Sequence, residues 1–160
     1  MNLNVLNFSH NLIISGQFFT NLSQSSMVYP SLQSLDLSYC PYIQGVVDRP
    51  LFSVLPNLRV LKVAGVPGLL NRQCLIDMFY DCCEYMSVHE LNLQSVDAYN
   101  FDMMLVIYIF PNLRVLNLDW NRWITNTLME RLPMLVGLGK GETINVGVRA
   151  LTVRIGGIEV

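Results

Sequence analysis

The chain has 160 residues, 52% of them hydrophobic and only 14% charged, with a formal net charge of −2. It is too apolar for a disordered segment and too short for two domains of ordinary size, so one cooperative domain spanning 1–160 is expected. The ten Lys and Arg residues are scattered and give no basic excess for a phosphate backbone, so nucleic acid is not expected as a partner.

Taken in chain order, a frame of the form Leu-x-x-Leu-x-Leu-x-x-Asn/Cys recurs. It is filled by Leu3, Leu6, Phe8 and Asn11, then by Leu32, Leu35, Leu37 and Cys40, then by Leu58, Leu61, Val63 and Val66. It returns as Val88, Leu91, Leu93 and Val96, and as Leu113, Leu116, Leu118 and Asn121. A weaker copy starts at Gly141, with Ile144 and Val146 behind it. The starts near 3, 32, 58, 88, 113 and 141 are 25 to 30 residues apart, which leaves room for a strand and a helix in each unit.

Within each frame the period-2 alternation sends the Leu positions to one face of a strand and the x positions to the other. Between strands the period changes: Leu75, Phe79, Cys82 and Met86 share one face of a helix predicted over 73–86, and a shorter helix is predicted over 125–132, stopped by Pro133. Pro30, Pro56 and Pro111 stand two residues before the first Leu and punctuate the switch from helix to strand. Two of these switches share the hexapeptide Pro-Asn-Leu-Arg-Val-Leu, at Pro56 to Leu61 and Pro111 to Leu116. The Asn or Cys slot supplies a polar side chain for backbone groups that the bend strips from the ladder. Val66 and Val96 lack such a group, so those turns need another partner.

The stretch Leu-Gln-Ser-Leu-Asp-Leu-Ser-Tyr-Cys-Pro-Tyr-Ile, at Leu32 to Ile43, resembles the cysteine-containing class of leucine-rich repeats. That class is best known from F-box leucine-rich repeat proteins, the substrate receptors of cullin-type ubiquitin ligases. Ribonuclease-inhibitor-like scaffolds have the same helix-containing period. The resemblance implies an α/β leucine-rich repeat solenoid, a horseshoe of about six strand–helix units with a parallel concave sheet. It implies a non-catalytic module that binds a protein or peptide on the concave face, as the substrate-recognition part of a ligase receptor whose F-box is missing or separate. A secreted or cell-surface recognition domain is the alternative.

Stacked units turn the x positions into rows across the sheet. The central row reads Asn7, Asp36, Lys62, Asn92, Asn117 and Asn145, with Ser34, Ser38, Glu90, Gln94 and Asp119 beside it. Asp36 and Lys62, on adjacent strands, are expected to pair. Amides along the row offer hydrogen bonds to a partner, or ladder with one another and solvate the face. Tyr39 and Trp120 stand at strand ends, where exposed aromatics give large contact area for little rotamer entropy. Asp36, Tyr39, Lys62, Glu90, Asn92, Asn117, Asp119 and Trp120 are therefore the candidate partner-binding residues.

No catalytic, cofactor-binding or metal-ligating set is expected. His10 and His89 lie in different units, away from any nucleophile motif, and Cys40, Cys74, Cys82 and Cys83 lack a two-plus-two metal spacing. Adjacent Cys82 and Cys83 cannot readily pair, and free thiols suit a reducing, intracellular compartment. Asn2, Asn4, Asn7 and Ser9 interrupt the N-terminal stretch where a secretory signal needs an apolar core. The longest apolar run, Met103 to Phe110, is less than half of what a bilayer needs, so no membrane span is expected. Residues 150–160 read as a terminal strand or an incomplete cap, with Leu151 to Ile155 returning antiparallel against Ile144 to Val148, with the chain a fragment of a longer array, or with uncapped ends open to self-association.

Overall fold

The structure is a computed structural model that describes residues 3–17, 21, 24, 28–43, 52, 54–66, 72–80, 87–125, 127–128, 152–155 and 158–159. Among these residues one sheet holds β1 (Val5–Asn7), β2 (Ser34–Asp36), β3 (Val60–Lys62), β4 (Glu90–Asn92), β5 (Val115–Asn117), β6 (Thr152–Ile155) and β7 (Ile158–Glu159), in that spatial order. Strands β1 to β6 are parallel neighbours and β7 is antiparallel to β6. Helices α1 (Arg72–Tyr80) and α2 (Asn100–Ile109) follow β3 and β4 and pack on each other.

The register follows the frame: Leu6, Leu35, Leu61, Leu91 and Leu116 are successive Cα partners. The last four are buried, and Leu6 packs against them from the edge. A second buried line, Leu37, Val63, Leu93 and Leu118, comes from the third apolar slot, so the parallel sheet is sealed on its inner face. Truncating any of these leucines to alanine costs about 2–5 kcal/mol.

The duplicated hexapeptide resolves into a turn and a strand. Pro56 and Asn57 occupy the middle of a turn closed by the Leu58 N–H to the Leu55 carbonyl at 3.2 Å, and Pro111 and Asn112 do the same between Leu113 and Phe110 at 3.1 Å. Proline suits that position because its fixed φ is already turn-like and no N–H is required there. The N–H groups of Arg59 and Val60 then share the Gln33 carbonyl, at 2.8 and 3.0 Å. Arg114 and Val115 share the His89 carbonyl at the same distances, so both copies enter the sheet alike.

Two elements differ from expectation. Helix α2 lies where the sequence showed only an apolar run. Met103, Leu105, Val106, Ile107 and Ile109 are all buried, and a helix covered on nearly every side has no amphipathic stripe to betray it. It starts where the Asp102 carboxylate accepts the Tyr99 N–H at 3.0 Å, and it ends before Pro111. The strand beside β5 is Thr152–Ile155, and its hairpin partner is Ile158–Glu159, so these two neighbours stand where a strand at Ile144 to Val148 was expected. Both segments alternate with period 2, and alternation alone cannot choose between them. The weaker copy at Gly141 to Val148 lies outside the described residues.

Helix α1 covers the first part of the predicted 73–86, with Leu75 and Met78 buried; 81–86, including Cys82 and Cys83, lie outside the described residues. Of the helix predicted over 125–132, Thr127 and Leu128 are helical, with the Leu128 N–H on the Thr125 carbonyl, and the rest is not described apart from Thr125. No described helix is long and apolar enough to cross a membrane.

The slot residues close the bends between units. Buried Asn121 accepts the Val96 and Ala98 N–H groups on its Oδ1, each at 3.0 Å. Its Nδ2 donates to the carbonyls of Leu93 at 2.7 Å and Leu118 at 3.0 Å. The turn at Val96, which lacks a polar group of its own, is thus completed from the following unit. Cys40, a free buried thiol, likewise donates to the Phe8 carbonyl of the preceding unit at 3.0 Å. Asn121→Ala would strand four backbone groups, and a loss of roughly 3 kcal/mol is expected by urea unfolding followed by circular dichroism. Cys40→Ala should cost about 1 kcal/mol, and equal losses for the two would contradict this account of the slot.

Candidate protein-binding surface

The outward position that closes each strand has a local duty. Asn7, Asp36, Asn92 and Asn117 each accept, on Oδ1, the backbone N–H two residues on, at 2.8, 2.9, 3.0 and 2.9 Å. This Asx geometry bends the chain out of the strand. Candidate residues Asp36, Asn92 and Asn117 are therefore turn builders first, and only their remaining polar atoms are left for a partner. Among the described residues these oxygens accept from their own turns and from no neighbouring amide.

Lys62 breaks the row. Its Cα lies opposite Asp36, but its ammonium reaches Glu90 Oε1 on the other neighbouring strand at 3.6 Å, while Asp36 Oδ1 serves its own turn. The expected Asp36 pair is thus replaced by a Lys62–Glu90 pair, half-exposed and worth about 0.2–1 kcal/mol.

One step further along, His10, Tyr39, Gly65, Ser95 and Trp120 all sit in the left-handed region, with φ between 54° and 65°. The N–H groups of the first four donate to Ser38, Ala64, Gln94 and Asp119 of the next unit, at 2.7–3.0 Å. The bend therefore cannot relax without losing an inter-unit bond. Four bulky or β-substituted residues accept a conformation that suits glycine. Among the units of β1 to β5, Gly65 occupies the one whose strand end, Lys62, offers no Asx oxygen; the register partner of Asn117 on β6 is Arg154, not the expected Asn145, which lies outside the described residues.

The row is an aromatic rim with an uneven profile. His10 and Tyr39 stack at 4.8 Å with planes 15° apart, and the Cδ1–Cε1 edge of the Tyr39 ring lies on Gly65, where a Cβ would come within 2.5 Å of Cδ1. Trp120 stands out at 79% exposure against 40% for Tyr39, so it does not pack over the loops. That task falls to Trp123, which stacks on Tyr99 at 5.6 Å and 11°. Arg122 lies 4.8 Å from the Trp123 ring and 3.8 Å from Asp97, tying the loops after β4 and β5 together. Asp119, at 7% exposure, is buried in its turn and presents little to a partner.

At the other end of the strands the register brings together residues that are far apart in sequence. Arg59, His89 and Arg114 occupy one position on three adjacent units, linked by the His89 N–H to the Arg59 carbonyl and the Arg114 N–H to the His89 carbonyl, both at 2.8 Å. Both arginines are exposed, and the His89 Nδ1 bonds the Ser87 carbonyl. Composition concealed this row, since basic residues look scattered until a period of 25 to 30 residues stacks them.

Gly65→Ala should lose about 1–3 kcal/mol, because the added methyl meets both a left-handed φ and the Tyr39 ring. In a Tyr39→Ala background the loss should shrink to the φ cost alone, about 1 kcal/mol. Ser95→Gly should be neutral to within about 0.5 kcal/mol, relief of strain offsetting added chain entropy. A double-mutant cycle on thermal unfolding reads all three.

No known protein-family profile matches the chain. A stretch of 68 residues, 41% of this chain, is 31% identical to a disease resistance protein of Arabidopsis thaliana. The match spans 7% of that relative's length.

Proposed function

We propose that this chain is a non-catalytic protein-interaction module of the leucine-rich repeat kind, binding a protein or peptide across the outward face of its sheet and the aromatic rim beside it. The observation that carries the reading is Trp120: a tryptophan held in a left-handed turn and left 79% exposed. Large aromatics at that exposure, on rigid backbone, are the residues that dominate interface energies. Burying such a ring removes about 200 Å² from water, at most roughly 5 kcal/mol. Tyr39, pre-stacked between His10 and Gly65, is a second anchor whose rotamer entropy is already spent.

The shared register and the repeated turns support a continuation of the array into a horseshoe of about six units with this face concave. Cys40 at the end of its frame supports placing the chain with the repeat part of ubiquitin-ligase substrate receptors, acting inside the cell. The likeness to a stretch of a resistance protein supports protein recognition and is neutral on the ligase.

Affinity capture with the wild-type chain and with Trp120→Ala, Tyr39→Ala and Lys62→Ala tests this. A protein retained by the wild type and weakened about tenfold or more by either aromatic variant, but less by Lys62→Ala, fits the proposal. A cullin adaptor among the retained proteins fits its narrower form. A partner held equally by all variants would place binding on the helices or edges instead.

A further inference from the structure

We infer that the row Arg59, His89 and Arg114 is a docking site for an acidic segment of a partner protein. The row lies at the strand-entry edge of the face proposed above and rests on that reading. Two interstrand steps separate the arginines, roughly 9.6 Å between backbones, with His89 at the intervening position. Among the described residues neither guanidinium has an acidic partner. The anion that could neutralise the row, Glu90, is drawn to Lys62 at 3.6 Å. The His89 Nδ1 donates to the Ser87 carbonyl, which turns the Nε2 lone pair outward as an acceptor, so the two guanidiniums are the groups that meet an anion.

The surroundings narrow the partner's chemistry. Val60 is half-buried and Val115 exposed, each opening the strand that one of the arginines precedes. An acidic segment carrying apolar side chains fits that pattern. Its carboxylates would take the bidentate forks of Arg59 and Arg114 while its apolar groups cover the valines. Three basic side chains on a chain of net charge −2 are too few for the phosphate contacts that drive nucleic-acid binding. The identical hexapeptides supply both arginines, so duplicating one structural instruction also duplicated one charge at a fixed separation.

The test is fluorescence anisotropy of a labelled decaglutamate peptide against the full chain, at low and at physiological salt. Arg59→Gln and Arg114→Gln should each weaken binding about two- to fivefold, and salt should weaken the wild type more than either variant. Glu90→Gln should tighten it, and Arg59→Lys should bind between the wild type and Arg59→Gln, since it keeps the charge and loses the fork, an order that a purely packing role for the side chain would not predict. Arg122→Gln, on the far rim, should change nothing. Arginine variants that bind like the wild type, an Arg122→Gln loss as large as theirs, or tighter binding of an oligothymidylate than of the peptide would overturn the inference. Because the arginine variants report on this row and Trp120→Ala on the rim, their failure alongside a captured partner that depends on Trp120 rejects the row and spares the wider reading.

Discussion

The constraint on which this structure depends is the repeated bend after each short strand. Strands β1 to β5 have three residues each, so the parallel ladder is too brief to hold the units together by itself. Pairing has to continue through the turn, and it does, because each left-handed residue from His10 to Ser95 donates its N–H to the next unit. Buried backbone groups that miss a partner cost about 1–3 kcal/mol each, so the bend leaves few alternatives.

From that constraint the side chains near the turn acquire their identities. An Asx oxygen ends the strand and accepts the second N–H beyond it. A left-handed residue follows, and a slot residue such as Cys40 or Asn121 reaches across to the neighbouring unit. Where the third unit departs from this scheme, with Lys62 for Asx and Val66 for the slot residue, Gly65 lowers the conformational cost and Ser38 supplies an acceptor to the Ala64 N–H at 3.2 Å. The remedies come from different residues, but they serve the same groups.

Strand positions and register were legible in the sequence because buried leucines recur at fixed offsets and the period-2 pattern fixes their face. Helix α2 was not, since Met103 to Ile109 are buried nearly all round and lose the 3.6-residue signal. The repeat frame singled out Tyr39 and Trp120 as aromatics at strand ends, yet not their exposure, which for Trp120 exceeds that of Trp123 because only the latter meets Tyr99. The central row was assigned to a partner or to a ladder of amides because neither alternative considers the chain's own next N–H. The basic row could have been found by writing the units one beneath another and reading columns, which composition cannot do.

The Asx turn leaves the face open to change in one respect. The bend uses an Oδ1 atom, which asparagine and aspartate both possess, and Asp36 already fills the same role as Asn7, Asn92 and Asn117. A single amide-to-acid exchange at Asn92 or Asn117 therefore keeps the joint and adds a negative charge beside whatever lies on the sheet. The row acts as a charge dial mounted on a fixed hinge, and a lineage of such chains could drift in electrostatic preference without passing through an unfolded intermediate sequence.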